Sequence, residues 1–189
     1  LMTVLGIAGC TALLLTGFGL KDSISAIVGK QYGDVFHYDV TTMLQEDIST
    51  DQRAQIADCL ATSGLAEQSM FVRQEAFDAQ AGGKTQNAYL VVPEDADALS
   101  DYITLQDRKS KAPVPLTDEG VVISEKLGKL LGVGVGDFIT LPGLGDTALP
   151  ITGITENYAY HFIYMTPAYY EKAFGKTPEV NMAYTNLKE

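Results

Sequence analysis

The chain has 189 residues, 13 of them basic and 24 acidic, so its formal net charge is −11. This acidity argues against nucleic acid or anionic lipid headgroups as partners, because neither would meet a basic patch. Its two cysteines, Cys10 and Cys59, fall in separate segments, so we expect no disulfide framework. Metal-ligand spacing is not present either, and we expect no metal site and no cofactor. We expect one or two domains, and we interpret the sequence as a piece of a longer protein.

The first twenty residues, Leu1 to Leu20, contain no charged side chain. As a helix they would reach about 30 Å, which is the thickness of the hydrocarbon core of a bilayer. A cleaved signal peptide would show a basic segment and a small-residue cleavage site, and neither is visible. A buried core helix, the other alternative, usually carries polar residues on one face. The stretch therefore predicts a spanning helix, with everything after Lys21 on one side of the membrane.

The helical spacing continues beyond the span through Ile24, Ile27 and Val28, which predicts a short stalk that stops at Gly29 or Gly33. Hydrophobic patterning, caps and turn residues predict the elements that follow. In chain order these are a strand at 34–44, a helix at 52–62, strands at 68–79 and 85–92, and a helix at 94–105.

Residues 106–116 are polar, basic and contain two prolines, which predicts a linker. Beyond it we expect a strand at 121–123, a helix that Gly132 ends, strands at 137–141, 149–155 and 162–165, a helix from Thr166-Pro167 to Phe174, and a strand at 180–186. The first group of elements lacks one strand of a split βαβ unit. The closing strand could supply it, which would make residues 111–175 an insertion.

The segment from Gly120 to Leu141 resembles a motif of the FtsX/MacB-like ABC transporter permeases, in the extracytoplasmic domain between their first two membrane spans. The matching positions are Ser124, Glu125, Leu127, Leu131, Gly132, Gly136, Asp137, Ile139 and Leu141, followed by Ile151, Gly153 and Ile154. An apolar span leading straight into this domain completes the likeness. The tyrosine-rich stretch from Tyr158 to Tyr170 looks more like large permeases of Gram-positive bacteria than like MacB itself.

The resemblance implies an α+β fold: a transmembrane and stalk helix at 1–30, a split βαβ, porter-like lobe at 31–110 plus 176–189, and an inserted strand-rich lobe at 111–175. It also implies three further membrane spans and a cytoplasmic ATPase subunit as partner. The folded domain would then lie on the extracytoplasmic side of the cell membrane. A protein, peptide or lipid partner on that side is a further possibility.

The chain shows no pattern that predicts catalysis. Gly132, Gly134 and Gly136 follow a helix and precede a strand, the reverse of the order in a dinucleotide-binding loop, so we interpret them as a helix stop and a turn. His37 and His161 are the only histidines. Hydrolysis would need one of them near a nucleophile and an orienting carboxylate, and no nucleophile motif is present.

Alternating aromatic residues are the candidates for partner binding. Tyr158, Tyr160, Phe162 and Tyr164 would share one face of a strand, with Ile163 and Met165 on the other, and Tyr169 and Tyr170 would extend this surface from the next helix. Such a surface could anchor a partner, although half-buried sheets also contain alternating aromatic residues.

The sequence therefore predicts a non-catalytic extracytoplasmic domain of a permease, which couples movement of membrane helices to engagement of a substrate or partner outside the membrane. The alternative is a binding module anchored to the membrane by a single span. A third possibility, a membrane-tethered hydrolase, requires a histidine within hydrogen-bond distance of a nucleophile.

Overall fold

The computed structural model describes residues 2–45 and 49–188. Leu1, the first residue of the predicted span, and Glu189 lie outside this range. Helix α1 (Met2–Lys30) is followed by a π-helical turn, Gln31–Val35. Val4 is 69% and Leu15 75% exposed, so these apolar residues are not part of the folded core. Within the described residues, α1 with its π-helical turn is the one helix long and apolar enough to be a candidate membrane span.

The described residues form eight strands and three further α-helices. The strands are β1 (Val40–Met43), β2 (Ala66–Ala81), β3 (Lys84–Pro93), β4 (Val121–Ser124), β5 (Phe138–Leu141), β6 (Gly145–Thr155), β7 (Phe162–Tyr164) and β8 (Met182–Leu187). The helices are α2 (Thr50–Thr62), α3 (Glu125–Leu131) and α4 (Pro167–Phe174). Ser49 caps α2 and Thr166 caps α4, each by accepting a hydrogen bond from a backbone N–H of the first turn, as their residue types predict.

Six of the strands close into a barrel. The sheet order is β1-β8-β2-β3-β7-β4-β6-β5, and β5 returns to β2 through the pair Gln80 and Thr140. The first half of the long strand β2 pairs with β8 and its second half with β3, so β2 belongs to both the barrel and a two-strand extension formed by β8 and β1. The predicted α+β fold behind an N-terminal apolar helix is confirmed.

The closing strand lies beside the opening strand, as the split βαβ unit requires. β8 pairs antiparallel with β1, with Met182 opposite Met43. The barrel nevertheless combines β2 and β3 with β4 to β7, and these two groups of strands come from the two predicted lobes. The lobe boundaries at residues 111 and 175 therefore stay a prediction.

Two hydrophobic cores lie on opposite faces of β7. Its Ile163 packs into the barrel core, with Leu90, Ile123 and Leu141 among its members and with side chains of α3 and α4. Phe162 and Tyr164 face a second core, which also contains Val35, Phe36, Met70, Val72, Tyr102 and Tyr184. This alternation agrees with the period of two in a strand. The second core matters for function because it receives the end of α1.

Two predicted elements are shorter than the sequence suggests. The prediction of a helix at 94–105 is wrong. Within this range Ala98–Asp101 forms a short 3₁₀ helix, and Ile103 bridges to Phe36 in extended conformation. The strand at 34–44 begins only at Val40. The apolar spacing of the stalk continues past Gly29 and Gly33, so residues up to Val35 complete the last helical turn instead.

Candidate functional site

The residue that follows α1, Gln31, connects the candidate membrane helix to the barrel. Its side chain is buried, with 1% exposure. Oε1 accepts hydrogen bonds from the backbone N–H groups of Tyr158 at 2.8 Å and Ala159 at 3.0 Å. Nε2 donates to Oδ1 of Asn157 at 2.9 Å. The Gln31 amide thus satisfies three polar groups of the loop between β6 and β7.

The backbone beyond Gln31 enters the second core directly. The N–H of Phe36 donates to the carbonyl of Gln31 at 2.8 Å and closes the π-helical turn. Val35 and Phe36 are both buried. The N–H of Thr104 donates to the carbonyl of Val35, and the N–H of His37 to the carbonyl of Tyr102, each at 2.8 Å. The end of the helix is therefore held by backbone bonds and by apolar packing, in addition to the Gln31 side chain.

Glu156, the first residue after β6, carries a buried charge beside this junction. Its side chain has 0% exposure and pairs with Nζ of Lys111 at 2.5 Å. Its other oxygen accepts from the hydroxyl of Tyr158 at 2.9 Å, and Nε2 of Gln106 also donates to the carboxylate. Burial alone raises the pKa of Glu156, but these three donors outweigh burial and leave its pKa below the ordinary value.

Tyr158 joins Glu156 to the helix. Its backbone N–H binds Gln31, its hydroxyl binds Glu156, and Nζ of Lys30 lies 5.5 Å from the centre of its ring. Burial, followed by the neighbouring Glu156 carboxylate, raises the pKa of Tyr158 to about 12. The phenol therefore stays neutral at physiological pH and can donate to Glu156. A continuous set of contacts runs from Lys111 through Glu156 and Tyr158 to α1.

Acidification is expected to loosen the junction through Glu156. A carboxyl group with a lowered folded-state pKa stabilises the fold above its unfolded-state pKa, about 4.3, and loses this effect as pH falls through the folded-state pKa. The melting-temperature difference between wild type and Glu156→Gln should therefore be large at neutral pH and disappear in acid. The control Glu67→Gln removes a carboxylate from the exposed start of β2. A melting-temperature difference between wild type and Glu156→Gln that stays constant with pH would contradict this expectation.

The six aromatic residues predicted to form one surface are separated in the structure. Tyr158 is half-buried at the junction, and Tyr160 is 71% exposed with φ 61, its ring edge-on to Tyr89 with centroids 5.9 Å apart. The remaining four are buried: Phe162 and Tyr164 in the second core, and Tyr169 and Tyr170 in the barrel core. Partner binding through the six residues stays a prediction, and of the six Tyr158 and Tyr160 are the more accessible.

His37 has a hydroxyl partner but no orienting carboxylate among the described residues, and the glycines form the end of a helix and a turn. Nε2 of His37 lies 2.7 Å from Oγ1 of Thr104, whereas Asp39 accepts from the N–H of Leu187, and in the described residues no hydrogen bond joins His37 to Asp39. Gly132 ends α3 with φ 80, and the N–H of Gly134 donates to Asp137 at 2.8 Å. The predicted helix stop and turn are confirmed. In the same residues, no group of His, Cys, Asp or Glu side chains is arranged to hold a metal ion.

Comparison with known proteins places this arrangement in a family. Among curated proteins, none matches the chain. The fold is similar to the extracellular domain of the noncanonic ABC-type transporter YknZ from Gram-positive bacteria, with a TM-score of 0.50 and 12% identity over 79% of this chain and 82% of that one. The periplasmic region of MacB from Actinobacillus actinomycetemcomitans aligns with a TM-score of 0.48 and 10% identity over 79% and 73% of the two chains.

The sequence comparison is decisive, because the match to the MacB-like periplasmic core domain covers residues 1–189. The resemblance inferred from the Gly120–Leu141 motif is thereby confirmed. The chain belongs to the MacB-like periplasmic core domain family, the non-catalytic extracytoplasmic part of ABC-type permeases.

Proposed function

We propose that this domain couples movement of its membrane helix to engagement of a substrate or partner outside the membrane, with the movement powered by the ATPase partner of the permease. The observation that carries the proposal is the Gln31 amide, buried at the end of α1 and bound to three groups of the β6–β7 loop. A helix that served only as a tether would not need a buried polar side chain at its junction with the barrel.

The helix is suited to transmit movement because it is unbroken. Twenty-nine residues of α1 extend about 43 Å, enough for a span and a projecting stalk. The π-helical turn continues it to Val35, whose side chain is packed in the second core. A tilt or rotation of the helix would therefore move buried side chains rather than bend an intervening loop.

The loop that Gln31 binds leads into the centre of the barrel. It ends at β7, which pairs with β3 on one side and with β4 on the other. A displacement of Asn157 to Ala159 would act on these strands within a few residues. Backbone bonds at Phe36 and Thr104 hold the helix end in register, while the Gln31 side chain fixes its orientation towards the loop.

The proposal can be tested in the intact permease, assembled with its ATPase in lipid nanodiscs. A donor fluorophore at Thr85→Cys, on exposed β3, and acceptor lipids report the height of the barrel above the membrane; Cys10 and Cys59 are replaced by serine. ATP should change the energy transfer, and Gln31→Ala should abolish most of that change while ATP hydrolysis continues. Gln55→Ala, on the exposed face of α2, is the matched control.

Full ATP-dependent movement in the Gln31→Ala protein would contradict the proposal. The same experiment addresses the alternative of a binding module that does not couple to the membrane helix, whose barrel height would not respond to ATP in either protein. Because coupling between two sites is reciprocal, a ligand that binds one barrel position more tightly should alter the affinity of the permease for ATP.

A further inference from the structure

His161 lies where the loop that Gln31 binds leads into strand β7, and the coupling just described makes no use of its side chain. Its carbonyl accepts a hydrogen bond from the N–H of Tyr89 at 2.8 Å, which joins this point of the chain to β3. The N–H of the next residue, Phe162, donates to the hydroxyl of Ser124 at 3.2 Å. The backbone is thus held to both β3 and β4, which limits where the imidazole can lie.

The ring of His161 has one nitrogen without a hydrogen-bond partner. Nδ1 is buried, and within the described residues no donor or acceptor is placed to bond it. A neutral imidazole tolerates this, because it can keep its proton on Nε2 and leave Nδ1 as an unused acceptor. The charged form carries a proton on both nitrogens, so protonation would leave an N–H group buried without an acceptor.

The charged neighbour of this ring is itself a cation. Lys126, on the first turn of α3, is close enough to His161 to disfavour a second positive charge. Among the described residues no carboxylate forms an ion pair with the ring, and Glu125 of α3 already pairs with two other cations. The carbonyl of Tyr160 favours the charged form, but burial and then Lys126 outweigh it and lower the pKa of His161.

The residue before His161 gives the loop a point at which it can open. Tyr160 has φ 61, a left-handed conformation that costs a bulky residue about 1–3 kcal/mol. Its ring is 71% exposed and touches Tyr89 edge-on, so little packing holds it. The Tyr160 carbonyl accepts from Nδ2 of Asn157 at 3.2 Å, and Oδ1 of the same Asn157 accepts from Gln31. A shift at residues 160–161 would therefore reach the Gln31 side chain through one amide group.

We infer that His161 makes the loop at 157–160 sensitive to acid: a proton on its imidazole drives the ring away from Lys126 into water, and the loop loosens. In the open loop His161 has its ordinary pKa of about 6.5 and binds the proton more tightly, so acid favours opening. This response begins as pH falls below about 6.5, whereas that of Glu156 lies below about 4.3. Loosening of the loop does not rest on the proposed function, but a loss of coupling in acid would.

Hydrogen exchange of the chain in phosphatidylcholine nanodiscs tests the inference. The protection factors of amides 157–160, corrected for the intrinsic pH dependence of exchange, should fall about threefold to tenfold between pH 7.5 and 5.5. About tenfold is the upper limit, because pH 5.5 lies one unit below the ordinary pKa of histidine. His161→Gln, which cannot take up a proton, should give the same protection at both pH values. His37→Gln removes the other histidine and should keep the wild-type response.

Lys126→Gln supplies a second readout. Without the ammonium group the pKa of His161 should rise towards its ordinary value, so the fall in protection should become smaller. Four results would overturn the inference: equal wild-type protection at both pH values, an undiminished fall in His161→Gln, an undiminished fall in Lys126→Gln, or an equal fall in the amides of the β2–β3 pair. Full ATP-dependent movement in Gln31→Ala would contradict coupling and leave these protection factors unaffected. Failure of the acid response and failure of coupling are therefore distinguishable.

Discussion

Replacing Gln31 with leucine is expected to lower the free energy of unfolding by about 3 kcal/mol. Leucine is close to glutamine in size but apolar, so the N–H groups of Tyr158 and Ala159 and the side-chain oxygen of Asn157 lose their partner. A buried polar group left without a hydrogen bond costs about 1–3 kcal/mol, and three such groups are affected, with water relieving part of the loss.

Hydrogen exchange provides the most local measurement of this effect. The amides of residues 157–160 should exchange much faster in Gln31→Leu, while those of the strand pair β2–β3 should keep their protection. Gln31→Glu retains the acceptor oxygens for Tyr158 and Ala159. Its loop amides should therefore exchange at rates between those of wild type and Gln31→Leu. Gln55→Leu, on the exposed face of α2, is the control. Unchanged exchange in the loop would show that the Gln31 side chain does not hold it.

Replacing Gly120 with alanine is expected to open the barrel, at a cost of about 3 kcal/mol. A Cβ at this position would lie 2.2 Å from the carbonyl oxygen of Pro150 and 2.8 Å from Cγ2 of Thr152. The nearest atom belongs to the backbone of β6, so rotation of a side chain cannot relieve the clash. Strand β4 would have to move away from β6, with which it pairs in parallel.

The thermal transition of the purified chain reports this loss. We expect a clearly lower melting temperature for Gly120→Ala than for Gly134→Ala, where the nearest atom to a new Cβ is the Asp137 carboxylate at 3.9 Å. Both substitutions add one methyl group, which isolates the effect of the close contact with β6. Equal melting temperatures would mean that β4 and β6 pack less closely than these distances indicate.

Local elements follow from local sequence signals. Ser49 and Thr166 predict helix starts, Gly132 predicts the end of α3, and Gly82-Gly83 predicts the β2–β3 turn, because caps and left-handed turns depend on a few neighbouring residues. Closure of the barrel depends instead on Gln80 meeting Thr140, and no local pattern specifies that pairing. The same holds for residues 102–105, where contacts with Val35 and Phe36 override helical propensity.

The junction shows why functional residues were harder to predict than the fold. Gln31 lies four residues after Ile27 and seven after Ile24, so it continues the apolar face of the stalk as a polar residue. That position is the available signal, whereas the glycines predict that the stalk stops at Gly29 or Gly33. Glu156 lies in a polar segment that resembles an exposed loop, and its burial depends on Lys111 and Gln106 from a distant part of the chain.

The central claim is that the junction at Gln31 makes the barrel follow α1 when the helix moves. The most direct test measures the distance between spin labels at Ser25→Cys, on the stalk, and Thr85→Cys, on the barrel, in the intact permease with Cys10 and Cys59 replaced. We predict one narrow distance distribution that is the same with and without ATP, and a broad one in Gln31→Leu. A wild-type distance that changes with ATP would show that the helix moves independently of the barrel and would contradict this coupling.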